Sequence, residues 1–359
     1  MKSHALFLSN EDIQMLLSPR VAVEVMEDVY REMALGTAVA RTRTQTHIPT
    51  SDSEYICRFK TMDGASSKYG AIALRVLPDL VSWPRIAGKR VQVRKPAQAG
   101  RFLAFNLIFS SDSGDLLAII QDGYLQRLRM TGTHGAAAKL LARRSSAVLG
   151  ILGSGWLAGG ILQGIRLGTD LNLKQFRVYS PTLAHRVQFS QSMSQLLNIE
   201  VIPVNEPREA YEEVDILVTC TNSTEPIFNG MNLHSGIHLS SVSALEIDDA
   251  CFGRADVTVV SMKEGRANEG INFAPSAIRE QINMQMFARN IPWDQFWELG
   301  DVITEKAPRR TTDEQITFFC NNIGFGAQFA ALGGKAYQLA RAKGVGKPVD
   351  IDDWYQDVR

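Results

Sequence analysis

Gly153, Gly155 and Ala158 stand in the spacing G-x-G-x-x-A, as Gly153-Ser154-Gly155-Trp156-Leu157-Ala158, between the apolar run Ala147–Leu152 and a stretch of helical periodicity. Such a turn joins a strand to a helix. Its first glycine permits the tight turn, its second lets the backbone approach a pyrophosphate, and its alanine lets the helix pack closely on the strand. The first free N–H groups of the helix then face the anion. The motif alone does not separate a dinucleotide site from a plain glycine loop, so its surroundings decide.

In dinucleotide folds the second strand usually ends in Asp or Glu, about 20 residues beyond the glycines, to hold the ribose 2′-hydroxyl. Here it ends Val178-Tyr179-Ser180-Pro181-Thr182, without an acid. Hydroxyls at Ser180 and Thr182, with Arg186 one helical turn on, suit a 2′-phosphate better, so NADP(H) is expected over NAD(H). The alternative for Arg186 is a solvated helix residue. A second constellation is basic. Arg41 and Arg43 precede a strand, Arg75 interrupts the apolar run Ala71-Ile-Ala-Leu-Arg75, and Arg127 and Arg129 lie in Leu125-Gln-Arg-Leu-Arg-Met-Thr131. A buried guanidinium needs an anionic partner. A substrate carboxylate fits, since bidentate recognition is what Arg does best, and a surface or structural ion pair is the other reading of each.

These residues need elements to position them. From Ala147 onward short apolar runs alternate with polar helical stretches, which predicts a doubly wound parallel sheet with strands at Ala147–Leu152, Phe176–Tyr179, Glu200–Val204, Val214–Cys220, Ile237–Val242 and Asp256–Val260. Its ligand crevice falls at the carboxyl ends of the strands, beside the first one. The N-terminal part predicts an α+β domain. Ser18-Pro19 starts a helix that Gly36 stops, and strand-like runs follow at Tyr55–Lys60, Tyr69–Val76, Phe102–Phe109 and Leu116–Ile120. Gly123–Arg144 is helical, and so is the Gly- and Ala-rich segment Asp313–Gly346. That tail is expected to return to the first domain, making residues 131–310 a nucleotide domain inserted between 1–130 and 311–359. Across Met262–Arg310 the pattern loosens, with Trp293, Phe296 and Trp297 expected as packing anchors.

A chain of 359 residues with 45% hydrophobic content has room for about two domains. Lys plus Arg equal Asp plus Glu at 38 each, so no global field draws the chain to nucleic acid or an anionic membrane. No stretch approaches the ~20 apolar residues of a membrane span, and the first ten residues carry no secretory or transit pattern. Four scattered cysteines read as reduced thiols of a cytoplasmic protein. Six histidines form no ligand cluster, so no metal is expected.

The chain resembles the ornithine cyclodeaminase and mu-crystallin family in a series of segments that occur in the family's order. They are Asp122-Gly-Tyr-Leu-Gln-Arg-Leu-Arg-Met-Thr-Gly132, Ala136–Ala142, the Gly153 turn, Thr219-Cys-Thr-Asn-Ser-Thr-Glu-Pro-Ile227, Gly236–Val242 and Pro308–Phe319. The resemblance implies a Rossmann domain inserted into a dimerisation and substrate domain, a homodimer, and nicotinamide chemistry on a small α-amino or α-imino acid. It places the substrate-carboxylate Arg on Arg129 and an early Arg on Arg43, with Arg75 where the family has Lys; Lys60 is a further candidate cation. Thr219, Thr221, Asn222 and Val242 would lie on the nicotinamide side. Cyclodeaminases carry a catalytic Asp after the fifth strand, and here Leu245 stands at that place. Glu246 or Asp248 could substitute, or belong to the family's structural Glu-x-Asp. The expected activity is therefore an NAD(P)-dependent amino/imino-acid oxidoreductase, with water or Lys60 as proton carrier. A cyclodeaminase and a non-enzymatic NADPH-binding crystallin are the alternatives.

Overall fold

Ser18 caps a helix over Pro19–Leu35, its hydroxyl accepting from Val21 N–H, and Gly36 closes it in the left-handed region at φ 74°. The computed structural model describes residues 4–41, 43–86, 88–98, 100–263, 271–278 and 291–356. Parts of the loosely patterned stretch Met262–Arg310 lie outside them. Of its aromatics, Trp293 and Phe296 pack on Phe252, whereas Trp297 is 40% exposed with Lys263 Nζ over its ring.

Two large sheets make up the chain. The first runs in the order Ile271–Phe273, Thr44–Pro49, Ile56–Ser66, Ala71–Ser82, Phe105–Ser110, Leu116–Gln121, His4–Leu8, Lys347–Asp350. Its pairings are antiparallel except where His4–Leu8 meets Leu116–Gln121 and Ile271–Phe273 meets Thr44–Pro49. Ala71–Ser82 alternates strictly in burial from Ala71 to Val81, so one of its faces packs inward against the helix Gly326–Lys343.

Every pairing of the second sheet is parallel, in the order Glu200–Pro203, Gln175–Tyr179, Val148–Leu152, Ile216–Thr219, His238–Ser241, Thr317–Cys320, Val257–Val260, Trp297–Glu298. The six runs expected from sequence are all strands here. Thr317–Cys320 departs from expectation: it lies in the segment Asp313–Gly346 read as helical, whose helix begins only at Gly326, and it is inserted as a strand between His238–Ser241 and Val257–Val260. All four of its residues are buried, as a strand covered on both faces requires.

The helix Asp122–Leu141 serves both halves. It packs on Pro19–Leu35, on the strands His238–Ser241 and Thr317–Cys320, and on the helix Trp156–Leu167. Close approach is the reason for glycine at 164, where a Cβ would sit 2.1 Å from the Thr131 carbonyl oxygen.

Candidate functional site

The turn after Val148–Leu152 is built around Gly153, whose φ is +122° and whose Cβ, if present, would lie 2.1 Å from the Cys220 carbonyl oxygen. Only glycine fits there. A Cβ on Gly155 would meet nothing within 4 Å, and the helix Trp156–Leu167 has no side-chain cap at that end. Open space over uncapped N–H groups is what a pyrophosphate requires, so these residues fit a dinucleotide. Val148–Leu152 lies between Gln175–Tyr179 and Ile216–Thr219, where the sheet's strand order reverses.

Ser154 and Ser180 meet over this turn with their hydroxyls 2.9 Å apart. Thr182 is exposed and precedes a helix without capping through its side chain. Arg186 is buried and folds back, donating to the Ser180 carbonyl at 3.0 Å and to Asn205 Oδ1 at 3.1 Å. It is neither solvated nor extended toward a phosphate. Trp156, 59% exposed, stands at the mouth with the Arg127 guanidinium 4.1 Å over its ring, and Leu157 and Val242 pack on the core beneath.

At the end of the next strand Thr219 and Thr221 are committed to the protein. Glu246, fully buried, accepts from the Thr221 N–H and from its hydroxyl at 2.6 Å, and lies 3.2 Å from Thr219 Oγ1. Burial raises its pKa from 4.5 to about 7. Proton counting agrees: Ser241 gives its single proton to the Ser243 carbonyl at 2.7 Å, so Thr219 gives its own to Ser241 at 2.8 Å. Glu246 Oε2 then meets a lone pair on Thr219 unless it carries a proton. Asp248 caps the helix Asp249–Arg254 and accepts from Gly230 N–H. Both acids thus hold loops.

A pH effect follows. The folded state binds the Glu246 proton more tightly than the unfolded state, so this group's stabilising contribution is present below pH 4.5 and is lost as pH rises through 7, by up to about 3 kcal/mol. In Glu246→Gln the new amide can donate to Thr219 and accept from Thr221 without titrating. Urea midpoints at pH 5 and pH 8 should therefore differ less in Glu246→Gln than in the parent chain, and an unchanged difference would show that Glu246 is not the titrating group.

Of the basic residues, Arg43, Lys60, Arg75 and Arg129 gather beside the inner face of the first sheet, whereas Arg41 pairs with Asp63 at the surface and Arg127 stands over Trp156. Lys60 and Arg129 each lie within electrostatic reach of Arg43 and of Arg75. An anion for Arg75 is in the chain itself: Nε and Nη2 pair with Asp122 at 2.6 and 2.7 Å, and Nη1 lies against Met62 Sδ at 3.8 Å. Asn106 supports Asp122 at 3.2 Å. Lys60 Nζ pairs with Asp79 at 3.1 Å, and burial together with Arg58 pushes its pKa well below the lysine range. Arg129 is different. It is 5% exposed, and its Nε and Nη1 have no hydrogen-bond partner among the described residues; Nη2 reaches Gln126 only at 3.4 Å. Burial and neighbouring Arg75 lower its pKa to about 10. Gly324 makes room for it, since a Cβ there would fall 2.8 Å from Arg129 Nη2. Arg75 and Arg129 both stand over the Phe329 ring, at 4.7 and 5.9 Å.

Sequence reasoning missed the strap that ties the two halves together. Gln92 N–H donates to the Asn222 carbonyl at 2.9 Å, Asn222 Nδ2 donates to the Gln92 carbonyl at 3.1 Å, and Thr224 N–H donates to the Arg90 carbonyl at 2.9 Å. Val91 and Ser223 form an antiparallel bridge between them. Gln92 Oε1 also accepts from Arg58 Nη1 at 2.9 Å, so the basic face and the Thr219–Asn222 loop share one hydrogen-bonded connection.

Comparison with known proteins agrees with this architecture. A Delta(1)-pyrroline-2-carboxylate reductase of Bacillus cereus is 26% identical over 285 residues, covering 77% of this chain and 84% of that protein. An alanine dehydrogenase of Archaeoglobus fulgidus is 24% identical over 352 residues, covering 96% and 98%. The solved Delta(1)-pyrroline-2-carboxylate reductase of Thermococcus litoralis, in complex with NADH and L-proline, superposes with a TM-score of 0.77 at 24% identity, over 96% of this chain and 100% of that one. The sequence profile of the ornithine cyclodeaminase/mu-crystallin family matches residues 86–334. This chain belongs to that family.

Proposed function

We propose that the chain is an NAD(P)-dependent oxidoreductase that interconverts a small α-amino acid and its imino acid. The observation that carries this reading is Arg129, a buried guanidinium whose Nε and Nη1 have no hydrogen-bond partner among the described residues, in a chain whose Gly153 turn is shaped for a dinucleotide. Arg129, with Arg43 beside it, takes the substrate α-carboxylate as a planar donor fork. Arg75 acts one step back, held by Asp122 and adding its field to Arg129. Bound nicotinamide supplies or accepts the hydride. The residues around it fix the substrate's orientation, and the proton for the nitrogen comes from solvent or from Lys60. The pyrroline-2-carboxylate reductase and alanine dehydrogenase relatives act on substrates of this class by name.

The cofactor preferred is NADPH, because no acid stands where a ribose 2′-hydroxyl would be held, and Ser154, Ser180 and Thr182 offer donors there. Arg186 contributes by fixing the Ser180 carbonyl rather than by reaching a phosphate. Purified protein should oxidise NADPH faster than NADH when given cyclic or ammonia-derived α-imino acids. Release of ammonia from ornithine without net cofactor change would identify a cyclodeaminase instead. Cofactor binding with no turnover across the panel would identify a binding protein.

The working unit is a homodimer. On the outward face of the first sheet Ile72, Leu74, Val76 and Leu80 lie beside Phe59, Phe105 and Leu107; Ile72 is 39% and Phe59 43% exposed. An exposed apolar patch on the outer face of a sheet whose inner face is already packed asks for a partner. Sedimentation at micromolar concentration should give twice the mass of 39.7 kDa, and a monomer would refute the assignment. The four cysteines are free thiols, which suits a reducing cytoplasm, and no helix among the described residues is long and apolar enough to cross a membrane.

A further inference from the structure

A second buried cation lies away from the basic face of the first sheet. Arg127 is 8% exposed, and its guanidinium makes no hydrogen bond or ion pair among the described residues. Burial lowers its pKa from the usual arginine value. Its path follows the helix Trp156–Leu167. A Cβ on Gly160 would fall 2.7 Å from Arg127 Cγ and 2.8 Å from Thr131 Oγ1, and one on Gly159 would fall 3.0 Å from Arg127 Nη2. Positions 160 and 156 share one helix face a turn apart, and the guanidinium ends 4.1 Å over the Trp156 ring. The side chain therefore runs along the helix toward its N-terminus and stops at the first turn. That placement is unfavourable in the free protein. Glycine inside a helix is weaker than alanine, yet two consecutive glycines clear the way for this side chain. The N-terminal pole of a helix is itself positive, this one has no side-chain cap, and a cation beside it is repelled. Stacking on Trp156, with Tyr124 at 5.9 Å, offsets part of that. An anion at the first turn removes the repulsion, because it pairs with the free N–H groups and the guanidinium together.

We infer that Arg127 binds the pyrophosphate of the dinucleotide, across the first turn of the helix Trp156–Leu167. This rests on the oxidoreductase reading above for the dinucleotide itself. In such folds the group at this turn is the pyrophosphate, whereas the ribose 2′ position lies at the end of the second strand, here Ser180. The glycine turn supplies N–H groups, and Arg127 supplies the full positive charge that they lack. It comes from the helix Asp122–Leu141, two positions before Arg129. One helix thus presents one cation to the cofactor and another to the substrate.

The test measures Kd for ADP-ribose, NADH and NADPH by calorimetry, with a thermal melt of each protein in the absence of ligand. ADP-ribose keeps the pyrophosphate and lacks the nicotinamide, so no turnover enters the readout. Arg127→Met should weaken all three by about 10–100-fold, the loss of a charged hydrogen bond, while the ligand-free Tm stays level or rises. Arg127→Lys keeps the charge without the planar fork, and its affinities should fall between those of the parent chain and Arg127→Met. Unchanged Kd in Arg127→Met overturns the inference. So does a ligand-free Tm well below the parent's, which marks an arginine that only packs on Trp156. A loss confined to NADPH overturns it as well, because it moves Arg127 to the 2′-phosphate. Each of these leaves the oxidoreductase reading standing. A parent chain that binds none of the three ligands overturns that reading and the inference with it.

Discussion

Arg129→Met is expected to lower kcat/KM for the imino or amino acid by about 10²–10³-fold while leaving Tm unchanged or raising it. The two effects have one cause. In the free protein this guanidinium is 5% exposed with Nε and Nη1 unsatisfied among the described residues, so its desolvation goes uncompensated until a carboxylate arrives. Replacing an uncompensated buried charge by a flexible apolar side chain of similar volume relieves that cost, whereas substrate loses its bidentate anchor. A structural arginine behaves in the opposite way, since its removal strands a partner and lowers Tm. Arg129→Lys should recover little, because an ammonium cannot reproduce the planar fork. Steady-state rates at subsaturating substrate, with a thermal melt of each variant, read both quantities. Turnover within threefold of the parent chain, or a large fall in Tm, would remove Arg129 from the substrate site.

What the sequence made legible divides along physical lines. The Gly153 turn could be read because a positive φ and a close carbonyl leave glycine no substitute, and that constraint is local. Short apolar runs marked the parallel strands for the same reason: burial on both faces writes itself into consecutive residues. Partnerships were harder. Arg75 was visibly out of place in an apolar strand, but its partner Asp122 lies 47 positions away, and only the register of Ala71–Ser82 on Phe105–Ser110 and the start of the next helix bring them together. Thr317–Cys320 falls in the segment Asp313–Gly346 that the sequence reads as helical, because a four-residue buried strand directly before a long Gly- and Ala-rich helix leaves too short an apolar run to mark its own period. The strap at Gln92 and Asn222 has no sequence signal, because its backbone bonds carry no residue code and its side-chain donors, Asn222 Nδ2 and Thr224 Oγ1, reach carbonyls 130 and 134 positions away. Arg186 shows the limit of reading residue type alone. Its charge suggested a phosphate, and its geometry ties a loop.

Asp122→Ala is expected to destabilise the chain by about 3–5 kcal/mol, because it strands Arg75 at 5% exposure with no compensating charge. The bidentate pair at 2.6 and 2.7 Å is also the start of the Asp122–Leu141 helix, where a carboxylate complements the helix dipole, and it anchors Asn106. Taking away both charges should cost far less than the sum of the single losses: an Arg75→Met, Asp122→Leu double variant replaces a desolvated pair by packing against Phe329 and Met62. A double-mutant cycle in urea should therefore give a coupling of at least about 2 kcal/mol. The same four proteins decide whether Arg75 binds substrate. If it is held by Asp122 for structure, the double variant keeps measurable turnover at temperatures where it remains folded, whereas loss of Arg129 does not spare it. If Arg75 instead grips the α-carboxylate, Asp122→Ala should lower KM by freeing it, and the double variant should fail as completely as Arg129→Met. Additive single effects in the urea cycle would mean that the pair seen between Arg75 and Asp122 does not stabilise the fold.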